Sequence, residues 1–214
     1  VLTGAGGSGK TRLALQAAAE LVDEFPNGAW FVELAPVTDP FFVPHALASA
    51  LRLHEEPGQA VLPTLIGFLR TKRMLVVLDN CEHLLESCAV LTQTVLQSCA
   101  NVKIITTSRE GLMIPGETTW RVPSLSLPPR AESYDLNNAM SYGAVRLFVD
   151  RALAVDPKFS LSTANVVPVV HVCRRLDGIP LAIELAAARV RVLCPEEISL
   201  RLDNRFHLLT GGSR

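Results

Sequence analysis

The apolar positions of this chain change rhythm about two thirds of the way along. Leu13-Ala14-Leu15-Gln16-Ala17-Ala18-Ala19-Glu20-Leu21 has helical spacing. The spacing predicts a helix from about Lys10 to Asp23, closed by the turn Pro26-Asn27-Gly28. Ala29-Trp30-Phe31-Val32-Glu33-Leu34 reads as a strand and Pro36 to Pro40 as a loop. Helical spacing returns over Phe42 to Leu51 and Val61 to Arg70. Met74-Leu75-Val76-Val77-Leu78 is an unbroken apolar run, which suits a strand buried on both faces of a parallel sheet. A long amphipathic helix is expected over Leu84 to Cys99. A further strand is expected at Val102-Lys103-Ile104-Ile105-Thr106-Thr107, and a short one at Thr119-Trp120-Arg121-Val122. Strands alternating with helices to about residue 127 predict a parallel α/β sheet with flanking helices.

Composition changes over Pro123 to Glu132, which contains Pro128-Pro129, and no strand pattern recurs beyond it. Helical periodicity covers Ala139 to Ala154, Ala164 to Leu176 and Leu181 to Val192. Pro195 to Leu202 reads as a fourth helix, with Pro195 suited to its first turn. The expected layout is an α/β domain at 1–127, a linker at 128–138, a small all-α helical bundle at 139–209 and the start of another linker at 210–214. The chain has no initiator Met, a first strand of only Val1 to Thr3, and a linker-like end at Gly211-Gly212-Ser213-Arg214. It therefore reads as an excised piece of a longer polypeptide.

With 49% apolar and 19% charged residues, the chain can bury a sizeable core. Its net charge of −1 and pI near 6.6 give no global sign of a nucleic-acid or anionic-membrane partner. Local basic pairs, Lys72-Arg73, Arg174-Arg175 and Arg189 with Arg191, read as solvated helix faces or ligand contacts. Cysteines at 81, 88, 99, 173 and 194 form no C-x-x-C and lie at no metal-site spacing from a histidine. Reduced thiols in a cytoplasmic protein are expected. No apolar run approaches the roughly 18–20 residues of a membrane helix, and no secretory signal is visible.

The chemistry concentrates early. Gly4-Ala5-Gly6-Gly7-Ser8-Gly9-Lys10-Thr11 matches G-x-x-x-x-G-K-[ST] in full, after an apolar Val1-Leu2 and before a helix. Glycines let backbone N–H groups turn inward around phosphate oxygens, and the following helix adds the positive end of its dipole. Lys10 is expected to reach the β- and γ-phosphates and the Thr11 hydroxyl to ligate Mg²⁺. Such a loop calls for a carboxylate at the end of a buried strand. Asp79, directly after Met74 to Leu78, supplies it. The alternative is an ordinary strand-ending turn acid.

Four ordered motifs then point to a family. They are Thr3 to Ala14, Leu78-Asp79-Asn80-Cys81-Glu82-His83-Leu84, Ile105-Thr106-Thr107-Ser108-Arg109-Glu110 and Gly178-Ile179-Pro180-Leu181-Ala182-Ile183-Glu184-Leu185-Ala186-Ala187. Over its whole length the chain resembles the STAND-class P-loop ATPases, in the branch shared with NB-ARC (AP-ATPase-like) modules. More closely it looks like the ATPase module of large bacterial transcriptional regulators of the LuxR and antibiotic-regulatory types. Asp203-Asn204-Arg205-Phe206 through Arg214 fits that group as well.

The resemblance implies ATP or ADP with Mg²⁺ as cofactors and Arg109 as the sensor of the terminal phosphate. It implies that Pro180 packs near the adenine. Arg12, in the first turn after the loop, either touches phosphate or faces solvent. Relatives carry a second acid after the Mg²⁺-binding Asp; here Asn80 stands there, and an amide cannot accept a proton. Glu82 is the nearest substitute for handling water, or else an acid favourable to the following helix. His83 reads as structural. The leading expectation is a regulatory switch with slow hydrolysis that self-associates in its ATP state, with DNA reached only through domains outside this chain. A scaffold that binds nucleotide without hydrolysis and a small-molecule kinase are the alternatives; no arginine-rich lid or acceptor base supports the kinase.

Overall fold

In the computed structural model, residues 1–54 and 60–210 are described, with side chains as far as Leu202. The end of the chain read as a linker, 211–214, lies outside the described residues. The chain divides into two compact units, Val1–Val122 and Pro123–Arg214.

The first unit is built around β3 (Met74–Asp79), in which all six residues are buried. It pairs in parallel on one side with β2 (Ala29–Glu33) and on the other with β4 (Val102–Ser108). Beyond β4 lie β1 (Leu2–Thr3) and β5 (Trp120–Arg121), which gives a five-stranded parallel sheet in the order β2-β3-β4-β1-β5. Side chains alternate across a strand, and β3 uses both faces. Leu75 and Val77 pack with Ala14 and Ala18 of α1 (Lys10–Leu21). Met74, Val76 and Leu78 pack into the larger cluster on the other face. That cluster draws on α2 (Val43–Ala50), α3 (Val61–Leu69) and α4 (Leu85–Ser98). Each fully buried Val or Leu there contributes about 1.5–3 kcal/mol. The result is a P-loop NTPase sheet with helices on both faces.

The second unit contains α5 (Leu136–Met140), α6 (Gly143–Val155), α7 (Val166–Arg175), α8 (Pro180–Ala187) and α9 (Pro195–Thr210). Its core joins Phe148, Val149 and Ala152 of α6 to Val169, Val170 and Cys173 of α7, Ile183 of α8 and Ile198 of α9. The single helix expected over Ala139 to Ala154 is two helices. Asp135 caps α5 by accepting from the Asn138 N–H at 2.8 Å, and Tyr142 is extended. Gly143 then starts α6, its N–H on Ser126 Oγ at 2.8 Å. Periodicity ran through the break because the interruption is made by residues outside the helical pattern. The helix expected over Leu181 to Val192 likewise ends at Ala187 and tightens into a 3₁₀ turn over Ala188–Arg191.

Between α7 and α8, Asp177 and Gly178 both take positive φ, 51° and 67°. The Gly178 N–H returns to Cys173 O at 3.1 Å, and Gly178 O accepts from the Leu125 N–H at 2.9 Å. A Cβ on Gly178 would stand 2.5 Å from Leu125 O. Left-handed strain and a backbone clash therefore coincide. Gly178→Ala is expected to destabilise the second unit by about 2–4 kcal/mol, read as a fall in the urea midpoint; an unchanged midpoint would contradict the turn geometry.

All five cysteines are free thiols; Cys81, Cys88, Cys99 and Cys173 are buried and Cys194 is exposed. The adjacent Cys88 thiol, and then burial, hold the Cys81 thiol above its ordinary range. Burial pushes Cys173 up to about 12. The Cys81 contact shifts the Cys88 thiol down instead, so access decides reactivity: a disulfide reagent such as DTNB is expected to titrate exposed Cys194 in the native chain and the four buried thiols only after unfolding. Prompt native reaction of a second thiol would count against this packing.

Candidate functional site

The loop Gly4–Gly9 connects β1 to α1. Gly9 is the residue before the helix, at φ 90°, a conformation that favours glycine. It makes no side-chain cap bond, and no acid lies in the first turn of α1. The free N–H groups and the helix dipole therefore face the loop. Lys10 is only 8% exposed although it is a lysine. Its Nζ donates to Gly4 O and Ala5 O, both at 3.0 Å, which draws the ammonium back across the loop. Ser8 is buried, and its Oγ has no hydrogen-bond partner among the described residues.

Beside the loop stands Asp79, 7% exposed. Its Oδ1 accepts from Thr11 Oγ1 at 2.7 Å and from Thr107 Oγ1 at 2.6 Å. The Asn80 N–H donates to Thr107 Oγ1 at 2.9 Å. The Thr107 hydroxyl thus accepts from one side and donates to the other, which directs its single proton at Asp79. Register explains the meeting: Leu78 pairs with Thr106 and Leu2 with Thr107. The next residue of β3 therefore comes beside Thr107 at the carboxyl ends of both strands.

Asn80 itself is left-handed, with φ 66° and ψ 48°, a conformation that asparagine tolerates better than most residues. Its Nδ2 lies 3.5 Å from His83 Nδ1, and His83 Nε2 lies 2.7 Å from Val37 O. Both contacts hold together when Nε2 carries the hydrogen and Nδ1 accepts. An amide can donate in this chain of contacts and a carboxylate cannot. Local structure therefore gives a reason for Asn at this position that is independent of water activation.

Arg109 follows β4 and donates from Nε to Glu82 Oε1 at 3.2 Å. Its partner is Glu82, from the turn after β3, and not the adjacent Glu110. Arg109 Nη2 lies 4.0 Å from where a Cβ on Gly6 would stand, so the guanidinium lies beside the loop. Arg12 is exposed on the first turn of α1. Lys10, Thr11, Asp79, Glu82 and Arg109 are thus gathered at one end of the sheet. Pro180 belongs to the second unit, as the first residue of α8 behind an extended Ile179.

Thr107 is the residue the motifs passed over in its role on Asp79. The available signal was a pair of threonines ending an otherwise apolar strand. Among the described residues no group of three or more His, Cys, Asp or Glu gathers to hold a metal. The hard-oxygen pair of Thr11 and Asp79 nevertheless suits Mg²⁺, which keeps waters and takes its remaining ligands from phosphates. The glycine cradle and the orphaned Ser8 hydroxyl suit the phosphates themselves. Among the described residues no helix is long and apolar enough to cross a membrane.

No family model matches the chain. It is 47% identical over 213 residues to a Mycobacterium tuberculosis (strain ATCC 25618 / H37Rv) protein named "Putative HTH-type transcriptional regulator Rv0890c", covering 100% of this chain and 22% of that protein. It is 45% identical over 212 residues to "Uncharacterized protein Rv0894" of the same strain, covering 99% of this chain and 51% of that protein. The chain therefore spans between about a fifth and a half of these relatives. Among solved structures, the Aeropyrum pernix ORC2 protein, described as ADPNP-ADP complexes, superposes with a TM-score of 0.57 at 14% identity, covering 99% of this chain and 64% of that one. At that identity the likeness is one of fold.

Proposed function

We propose that this chain is an ATP/ADP-binding regulatory switch with slow Mg²⁺-dependent hydrolysis, the STAND-type nucleotide module of a larger transcriptional regulator. The observation that carries the reading is the single carboxylate Asp79 held by two hydroxyls beside a glycine loop with a buried lysine. The resemblance to an ORC2 protein described with ADPNP and ADP, and to relatives named as transcriptional regulators, supports it. Contact with DNA is assigned to segments outside this chain, and self-association to the ATP state of the larger protein.

The residues divide the work. Backbone N–H groups of Gly6 to Gly9 bind phosphate oxygens, and Lys10 exchanges its two carbonyl contacts for the β- and γ-phosphates. Thr11 and Asp79 would hold Mg²⁺, which would supply charge neutralisation for the phosphates. Arg109 meets the terminal phosphate. Asn80 can orient a water but cannot take its proton. A nucleotide-binding scaffold without hydrolysis is the second reading, favoured by this amide.

Lys10→Ala is expected to weaken ATP binding roughly ten- to a hundredfold, the loss of a charged contact of about 1.5–3 kcal/mol. Calorimetry decides it, and equal affinities would dismiss the site. Turnover of the chain should lie far below the roughly 1–10³ s⁻¹ common in enzymes. Phosphate release at tens per second would favour an enzyme over a switch.

Thr107→Val strips Asp79 and the Asn80 N–H of a shared partner. It is expected to cost about 1–3 kcal/mol of stability and to weaken ATP binding in Mg²⁺ more than in EDTA. An equal loss in both media would deny Thr107 its part in preparing Asp79.

A further inference from the structure

The Arg109–Glu82 pair is not explained by stability. The arginine side chain is 70% exposed and the glutamate 20%, and solvent-exposed ion pairs contribute little. Its geometry is nevertheless specific. Glu82 engages Nε, one edge of the guanidinium, while Nη2 lies over Gly6 of the loop. A guanidinium has five N–H donors in a rigid fork, so engaging Nε leaves the outer Nη edge for two oxygens of an oxyanion.

Glu82 is well placed to hold such an arm. It sits in the 3₁₀ turn Cys81–His83, directly after Asn80. That turn is tied down by the His83 contact to Val37 O and by the Leu84 N–H on Cys81 O at 3.0 Å. Glu82 Oε1 is engaged with Arg109, and Oε2 is buried with no hydrogen-bond partner among the described residues. A buried carboxylate oxygen without a donor is costly and calls for a functional reason. Restraining a long exposed side chain before it binds supplies one, because the loss of rotamer freedom then no longer falls on the binding step.

We propose that Glu82 is a positioning residue for nucleotide discrimination: it holds Arg109 by Nε beside Gly6 so that the Nη edge meets the terminal phosphate of ATP. The proposal rests on the reading of this site as an ATP/ADP site. Glu82 influences the nucleotide only through Arg109.

The test is calorimetric titration with MgATP and MgADP of the wild type, Glu82→Ala, Glu82→Gln, Arg109→Lys, Arg109→Ala and the double variant Glu82→Ala/Arg109→Ala. Glu82→Ala is expected to lower the ATP-over-ADP affinity ratio about two- to tenfold, the range for ordering one long side chain. Glu82→Gln keeps an acceptor for Nε and should recover part of the ratio. In the Arg109→Ala background, Glu82→Ala should change nothing further. Arg109→Lys keeps the charge but loses the fork, and should lose the ratio as Arg109→Ala does. It alters an exposed side chain, so it can still overturn the proposal if Glu82→Ala fails to fold, and a ratio lowered in Glu82→Gln then supplies the support. The proposal is overturned if Arg109→Lys keeps the wild-type ratio, if Glu82→Ala weakens both nucleotides equally, or if Glu82→Ala still shifts the ratio without Arg109. A wild type that binds both nucleotides equally overturns the proposal and leaves the site reading standing. A wild type that binds neither overturns the reading itself.

Discussion

A carboxylate kept 7% exposed at the end of a wholly buried strand is the constraint on which the rest of this site depends. Burial of a charge is costly unless donors surround it. Two threonine hydroxyls meet Asp79 from different elements, one from the first turn of α1 and one from β4. The strand register brings Thr107 there and the glycine loop brings Thr11 there, so the charge is satisfied only where the two coincide. The backbone of Asn80 completes the arrangement by orienting Thr107.

Much of this was legible in the sequence because it is local. The five-residue apolar run of β3 and the complete glycine loop each carry their meaning within one segment, and the sheet and its flanking helices follow from them. What was not legible depends on pairing across the chain. Thr107 reaches Asp79 from 28 residues away and Arg109 reaches Glu82 from 27. No spacing rule links such positions until the strands are in register. The left-handed backbone at Asn80 was hidden for a different reason. An asparagine after a carboxylate reads as chemistry, whereas here it also answers to φ and to a histidine three residues on. The break between α5 and α6 was hidden because Ser126, which receives Gly143, lies outside the helical pattern.

The exposed guanidinium and the buried lysine show two ways of storing a cation near an anion site. Lys10 is folded back on its own loop through carbonyl oxygens. Arg109 is held from outside, by a carboxylate on a neighbouring turn. A point charge on a flexible stem and a rigid fork call for different restraints, and the sequence places each beside a partner of the right kind.

The alternation along β3 has a consequence for how the sheet comes apart. Leu75 and Val77 belong to one hydrophobic cluster, while Met74, Val76 and Leu78 belong to another. A slip of one residue would turn every one of these side chains to the opposite face. It would spoil both clusters at once and carry Asp79 away from its hydroxyls. Neither layer of helices can therefore loosen its hold on the strand without weakening the other. The sheet unit behaves as one cooperative block, and the geometry of the anion site is inherited from that cooperativity rather than from the loop alone.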